Sequence, residues 1–310
     1  MTDSTPRVAA VVLNYNGREV TLQTLTSLQG LTYPRFDVTV VDNGSTDGSA
    51  AAVADRFPQV KQLRVEANQG IAYGLNVGVR WALARDYDYV LILNNDIEVD
   101  AGMLEELIRA AEGDPRIGCV GPKAYYYWDR RRIWSAGGKI RFREAVTRER
   151  GMGEIDRGQH DEPGEVDYVN GCACLLRASV LREVGLFDPL YVVSCEDADW
   201  CTRMKGRGYR CGYAPRAVLW HMVSQTTGGY RASRTYQTGR STAIYVRRYA
   251  SFFQWCSFWT FLALAFPVSF VRELLRGNQG AVVAKLRGVR DGLRVPLADP
   301  PSWESSPETA

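Results

Sequence analysis

Residues 89–100 read YVLILNNDIEVD. The apolar run from Val90 to Leu93 passes without a polar break into Asn94, Asn95 and Asp96. A short, continuous apolar run predicts a strand covered on both faces, as in a parallel sheet. The polar triplet then marks that strand's carboxyl end. Toward the amino terminus the same pattern returns. Val8 to Leu13 ends at Asn14-Tyr15-Asn16-Gly17, Phe36 to Val41 ends at Asp42-Asn43-Gly44, and Val60 to Val65 leads to Asn68-Gln69-Gly70. Helical patterns separate these runs: Val20, Leu22, Leu25 and Leu28, then Ala50 to Phe57, then about Ala72 to Arg85. The alternation implies right-handed crossovers and an α/β fold, with a mostly parallel central sheet flanked by helices. Ligands of such open sheets bind beyond the carboxyl ends of the strands. Turn chemistry alone favours Asn, Asp and Gly at any one of these ends. Four of them along one sheet edge point to a site.

Beyond residue 100 the texture changes. Met103 to Glu112 reads as a helix, and Ser135-Ala136-Gly137-Gly138 as a glycine-rich turn. A charged loop from Arg141 to Glu165 is expected to be mobile. Val166 to Leu176 is apolar, Ala178 to Val184 helical, and Gly212 to His221 a last strand. Between Arg248 and Arg272 lie 23 uncharged residues rich in Phe and Trp. That is long enough to span a bilayer, but such aromatic density between arginines suits the membrane interface better. A buried core hairpin ranks second and a true span third. Residues 226–295 carry eleven Lys and Arg against two Asp and Glu. Anionic lipid attracts such a segment by roughly 1 kcal/mol per basic side chain.

The totals set outer limits. A chain of 310 residues, 45% hydrophobic and 24% charged, can bury one large core or two modest ones. A net charge of only +3 does not argue for a nucleic-acid partner. The cysteines sit mostly inside apolar runs, and MTDSTPR leads straight into a strand-like run, so free thiols in a reducing cytosol are expected. Cys172-Ala-Cys174 has the wrong spacing for a zinc pair and fits strand packing.

VAAVVLNYNG (8–17), VDNGSTDGS (41–49), NQGIAYGLNVG (68–78), LNND (93–96), GCACLLRASVLREVGLFD (171–188) and EDADWCTR (196–203) follow one another in this order. Over about the first 225 residues the chain thereby resembles family-two glycosyltransferases with the GT-A fold. SAGG (135–138), DRGQ (156–159) and a late His make it similar to the rhamnosyltransferase-type branch. The resemblance implies a GT-A, Rossmann-like catalytic domain over 1–225, with a nucleotide-sugar half (1–100) and an acceptor half (101–225). A helical membrane-associating segment (226–295) would follow, and the tail (296–310), rich in Pro and Ser with few apolar residues, is expected to be disordered. The resemblance also implies inverting transfer of a sugar, assisted by Mg²⁺ or Mn²⁺, from a nucleotide diphosphate donor to a hydroxyl of a lipid-linked or polysaccharide acceptor. The expected donor is dTDP-rhamnose, with UDP-hexose or UDP-galactofuranose next. The expected place is the cytoplasmic face of the cell membrane, against anionic lipid, in cell wall polysaccharide synthesis.

Residue by residue, the resemblance assigns roles that chemistry supports. A departing diphosphate builds charge that a divalent ion stabilises. Asp96, the one carboxylate of the Asn94-Asn95-Asp96 triplet, is expected to hold that ion together with His221, and Asn95 to reach it through water or to touch ribose. Asp42 would accept the imide N–H of the donor base, which admits uracil and thymine and rejects cytosine. Asn14 and Tyr15 would flank base or ribose. Asn68, Gly70 and Asn76 would serve the diphosphate, glycine by close backbone approach and the helix start by its dipole. Asp197 would be the base that deprotonates the acceptor. Glu196 and Asp199 would orient it or contact Arg203, although a helix start favours acids by itself. Trp134 would shape the acceptor pocket. Arg231, Arg234 and Arg240 would close over the diphosphate or meet lipid. Two other readings compete. A nucleotidyltransferase needs a glycine-rich basic loop after the first strand, which LNYNGR (13–18) does not supply. A catalytically silent nucleotide-sugar-binding protein is suggested by the single acid among residues 94–96.

Overall fold

The computed structural model describes residues 5–143, 145–223 and 231–304. Strands β1 (Val8–Asn14), β2 (Phe36–Asn43), β3 (Lys61–Val65) and β4 (Tyr89–Asn94) alternate with helices α1 (Arg18–Leu28), α2 (Ser49–Arg56) and α3 (Ile71–Leu83). The order β4-β1-β2-β3 is parallel throughout. Register brings the polar ends together, with Asn14 opposite Asp42 and Leu13 opposite Asn94. α3 lies very close to this sheet. A Cβ at Gly78 would stand 2.2 Å from Val11 Cγ1, so a larger residue would push the helix off β1.

The remaining body comprises β5 (Ile97–Val99), α4 (Met103–Gly113), β6 (Ile117–Tyr126), β7 (Asp129–Ser135), β8 (Gly138–Ile140), β9 (Thr147–Glu149), β10 (Gly164–Val166), β11 (Ala173–Arg177), α5 (Ala178–Val184), α6 (Glu196–Lys205) and β12 (Arg210–His221). The sheet runs β10-β12-β6-β11-β4-β1-β2-β3, with β5 on β12 and β7 on β6. β11 runs antiparallel to both β4 and β6. Its amino end therefore meets the carboxyl end of β4, which sets residues 170–172 beside Asn94. Cys172 O accepts from Asn94 N at 2.9 Å.

The charged loop is held down rather than mobile over its central part. Lys123, 2% exposed, pairs with Asp156 at 3.0 Å and with Asp161. Tyr125 donates to the same Asp156. A buried ammonium requires anionic partners, and these two draw the loop onto β6.

Helices α7 (Ala232–Tyr249), α8 (Phe252–Leu275) and α9 (Gln279–Gly292) follow the body. α7 packs closely along α9, and its inner face is buried from Ser241 to Val246. α8 is not a core helix. Phe252 and Phe253 are 76% and 82% exposed, and among the described residues of α8 only Phe258, Leu262 and Glu273 are buried. The expected boundary at 225/226 lies outside the described residues, as do 305–310 of the expected disordered tail. Residues 296–304 are docked instead. Leu186 N donates to Pro301 O at 2.9 Å, and Arg80 Nη1 to Trp303 O at 2.7 Å. Trp303 supplies an apolar anchor that a count of Pro and Ser overlooks.

Candidate active site

Asp96 sits in the turn between β4 and β5, 4% exposed. Its main-chain oxygen accepts from Met222 N at 2.9 Å, which ties it to the end of β12. His221, the last residue of β12, thus lies alongside. Its Nε2 stands 3.1 Å from Asp96 Oδ1. Its Nδ1 is buried without a hydrogen-bond partner among the described residues. Trp134 packs edge-on against the imidazole, with ring centroids 4.4 Å apart.

These two side chains fit a divalent cation. Carboxylate oxygen and neutral imidazole are ligands for Mn²⁺, and Mg²⁺ shares the preference for oxygen. Neighbouring ligands about 2.1 Å from one octahedral ion stand ~3 Å apart. The observed separation of 3.1 Å meets that requirement.

Asp197 reaches the same region from α6. Its Oδ2 accepts from Gly171 N at 3.0 Å and its Oδ1 from Ala198 N at 2.7 Å. The 170–172 turn therefore bridges the end of β4 and the start of α6. Cys172 lies among the acids: burial pushes its thiol well up, and the charges of Glu149, Asp96 and Asp197 add to that effect. Asp96 and Asp197 both act on the Cys172 thiol, so the Asp96–His221 pair and Asp197 lie around the same 170–172 turn at the carboxyl edge of the sheet.

Asp197 and Glu196 occupy the first turn of α6, where the helix dipole favours negative charge. Burial outweighs the dipole. It drives the Asp197 carboxyl well above the usual carboxylate range, with the Glu196 charge adding to it. It pushes Glu196 up to about 7, and Glu196 Oε2 has no hydrogen-bond partner among the described residues. The chain enters this turn through Ser194 and Cys195 at φ 68° and 69°, left-handed conformations uncommon outside glycine.

Asp42 is 1% exposed at the end of β2. Its Oδ1 accepts from Ser45 N at 3.1 Å, whereas Oδ2 is buried without a hydrogen-bond partner among the described residues. Arg64 Nε stands 3.8 Å from that oxygen. Tyr15 lies 41% exposed after β1.

Residues 9–185 match the family model described as Glycosyl transferase family 2. The chain belongs to that family. It is 30% identical over 263 residues to an N-acetylglucosaminyl-diphospho-decaprenol L-rhamnosyltransferase of Mycobacterium tuberculosis, covering 79% of this chain and 85% of the relative. Its fold is similar to that of the mannosyltransferase PcManGT from Pyrobaculum calidifontis, solved with GDP-Man and Mn²⁺. That match has a TM-score of 0.60 and 18% identity, over 94% of this chain and 88% of the other. GalNAc-T7 with UDP, GalNAc and Mn²⁺ matches with a TM-score of 0.62 and 16% identity, over 78% of this chain and 48% of the other. The fold is GT-A, and the chain is a rhamnosyltransferase-like glycosyltransferase.

Several residues expected to touch the donor are tied into the frame of this glycosyltransferase. Asn14 Oδ1 accepts from Thr21 Oγ1 and Asn95 Nδ2 at 2.9 and 2.8 Å, while its Nδ2 donates to Ser49 Oγ at 2.9 Å. It knots β1, α1, α2 and the end of β4, and Asn95 shares the knot. Asn76 clamps Phe187, donating to its oxygen at 2.8 Å and accepting from its nitrogen at 3.0 Å. Asn68 Oδ1 accepts from Gly70 N at 2.9 Å and Asn43 Nδ2 at 3.2 Å. Gly70, at φ 99°, is required by protein rather than by ligand, because a Cβ there would stand 2.9 Å from the Val192 backbone. The first amide of α3 is also engaged, Ile71 N donating to Val192 O at 2.9 Å.

Asp199 pairs with Arg203, Arg248 and Tyr249. Trp134 braces His221. Arg240 reaches Leu190 O, and Arg231 and Arg234 lie on α7 or at its cap. Cys174 joins the buried thiols Cys119, Cys201 and Cys211 in the core, as strand packing predicts.

Sequence reasoning missed Gly171 and Glu149. The Asn170-Gly171 pair before an apolar run was the available signal for the bridging turn. Glu149 was hidden in a charged stretch, yet it is 8% exposed and accepts from Tyr168 OH at 2.6 Å, Asn170 Nδ2 at 2.9 Å and Ser135.

Glu196 yields a stability prediction. Its folded-state carboxyl, at about 7, lies above its ordinary value of 4.5. Its contribution is therefore fully present below pH 4.5 and lost as pH rises through about 7. Glu196→Gln, neutral throughout, is expected to raise Tm relative to the parent at pH 8, with the gain vanishing toward pH 4.5. Thermal unfolding across that range checks it, and a pH-independent difference would count against the buried, partnerless carboxylate.

Proposed function

We propose that this glycosyltransferase inverts the anomeric centre of a nucleotide-linked sugar, best dTDP-rhamnose, and passes it to a hydroxyl of a lipid-linked or polysaccharide acceptor. The placement of the Asp96–His221 pair and Asp197 around the 170–172 turn carries the reading. Asp96 and His221 would hold Mg²⁺ or Mn²⁺, which when bound supplies charge neutralisation for the departing diphosphate. Asp197 accepts the acceptor hydroxyl's proton as that oxygen attacks opposite the leaving group. Its raised proton affinity makes it a stronger base than an exposed carboxylate, and the two backbone N–H donors fix its plane. Burial excludes competing water. Asp42 Oδ2, which has no hydrogen-bond partner among the described residues and lies 3.8 Å from Arg64 Nε, would receive the imide N–H of thymine. Rhamnose as donor sugar is supported by the Mycobacterium tuberculosis relative, whose name specifies L-rhamnosyl transfer onto a diphospho-decaprenol-linked sugar.

Uracil offers Asp42 the same N–H, so a UDP-hexose or UDP-galactofuranose donor is the second reading. A panel of dTDP-, UDP- and GDP-sugars, scored by nucleoside diphosphate release with a prenyl-diphosphate-linked acceptor, separates them. Turnover highest with dTDP-rhamnose is expected. Turnover confined to UDP-sugars would replace the donor and keep the site. No release with any donor would favour a silent binding protein.

Peripheral attachment at the cytoplasmic membrane face is part of the same proposal. α8 exposes Phe252, Phe253, Leu264 and Val268, and the basic segment containing it complements anionic lipid. Burying one Phe in an apolar phase contributes about 1.5–3 kcal/mol. Phe252→Ser with Phe253→Ser is expected to weaken binding to phosphatidylglycerol vesicles by at least ~10-fold. Unchanged co-sedimentation would place lipid contact elsewhere.

A further inference from the structure

The segment carrying Asp197 passes through two left-handed non-glycine residues, Ser194 and Cys195, before α6 begins. Such conformations persist where the surroundings over-determine them. α7 provides those surroundings. Arg240 Nη1 donates to Leu190 O at 2.6 Å and Ser241 Oγ to Val193 O at 2.8 Å. Further along the same face, Tyr245 OH meets Thr202 Oγ1 at 2.6 Å. Arg248 Nη1 and Tyr249 OH both donate to Asp199 Oδ1, at 3.2 and 2.8 Å. Arg248 also pairs with Asp188, at the start of the segment. Asp199 is fully buried and the Arg248 side chain is 11% exposed. A buried carboxylate is costly to leave unpaired, so this junction has one favoured arrangement.

We propose that Arg248, seconded by Tyr249, is a positioning residue for sugar transfer: through Asp199 it latches the 188–199 segment to α7 and so holds Asp197 at the 170–172 turn, near the Asp96–His221 pair. The inference rests on Asp197 being the base. It assigns Asp199 to the latch rather than to the acceptor. α7 continues into the exposed apolar α8 across Ala250 and Ser251, so latch and lipid-facing helix are one stretch of chain.

Arg248→Met keeps the aliphatic stem and removes the charge. Misplacing a reacting group by about 1 Å can cost ~10²-fold, so kcat is expected to fall by roughly 10- to 100-fold while donor Kd stays unchanged. The acid limb of the kcat/KM profile is expected to move, because the Glu196 charge acts on Asp197. Asp199's charge already raises Glu196, and the variant removes one of its neutralising partners. The other groups that face the Glu196–Asp197 pair, namely Cys201 of α6, Cys195, Cys172, Tyr168 and Glu149, stay as they are. Arg248→Lys should recover part of the rate. Tyr249→Phe removes a single hydroxyl and guards against a folding defect, and a smaller fall in kcat is expected from it. Wild-type kcat and an unmoved acid limb in both variants would overturn the latch. So would a loss in Arg248→Met matched by its unfolded fraction, with Tyr249→Phe at the wild-type rate. Asp197→Asn assayed in parallel separates the two claims. Activity retained there defeats the base assignment whatever Arg248 does, whereas an inactive Asp197→Asn beside a normal Arg248→Met defeats the latch alone.

Discussion

Asp197→Asn is expected to lower kcat by roughly 10²- to 10⁴-fold, the range for losing a positioned general base, while the nucleotide-sugar still binds. The proposed roles explain the split: Asp197 is held by Gly171 and Ala198, whereas the residues proposed for the donor, Asp42, Asp96 and His221, make none of their hydrogen bonds with it. The amide keeps the volume of the carboxylate and removes its basicity. It also turns one acceptor into a donor facing a backbone N–H, so Asp197→Ala is the companion that removes this mismatch. Both variants should bind dTDP-rhamnose calorimetrically like the parent and release little diphosphonucleoside in the presence of acceptor. Transfer retained in both, with Glu196→Gln inactive instead, would move the base one residue back. Glu196 is the natural competitor, since it is equally buried and its second oxygen has no partner.

The acid cluster at the start of α6 was legible because three acids in four residues stand out in the sequence. What the sequence could not show is how they divide. All three begin one helix, but 100° per residue sends them to different sides. Asp197 meets the 170–172 turn, and Asp199 meets α7, some 50 residues onward. The polar strand ends were legible in the sequence, but the partners of their asparagines were not: Asn14, Asn76 and Asn95 are buried, and each has backbone or side-chain partners within the protein. Asp42 is the exception, since its buried Oδ2 has no hydrogen-bond partner among the described residues and only Arg64 Nε at 3.8 Å. The C-terminal tail was misjudged for a related reason: composition registers Pro and Ser, but Trp303, Pro301 and Ala298 dock residues 296–304 on the body.

Asp96→Asn is the change expected to do most damage, a loss of about 10³-fold or more in kcat/KM, corresponding to the several kcal/mol that a bound cation gives a developing anion. Asn94-Asn95-Asp96 contains a single carboxylate, so no neighbouring acid in the triplet can substitute. His221→Ala should cost less, because imidazole adds a neutral ligand where Asp96 adds charge. The comparison tests the site rather than the fold. Titrated with Mn²⁺ and followed by the ion's paramagnetic signal, the parent should bind one equivalent, Asp96→Asn should lose it, and His221→Ala should weaken it. Thermal unfolding without metal should leave Asp96→Asn at least as stable as the parent, since replacing a buried carboxylate by an amide of the same shape removes a desolvation penalty. Asp96 and His221 would then be a pair kept for charge rather than for packing. Undiminished Mn²⁺ binding in both variants would mean that their 3.1 Å approach is an ordinary hydrogen bond, and that any cation sits elsewhere along the sheet edge.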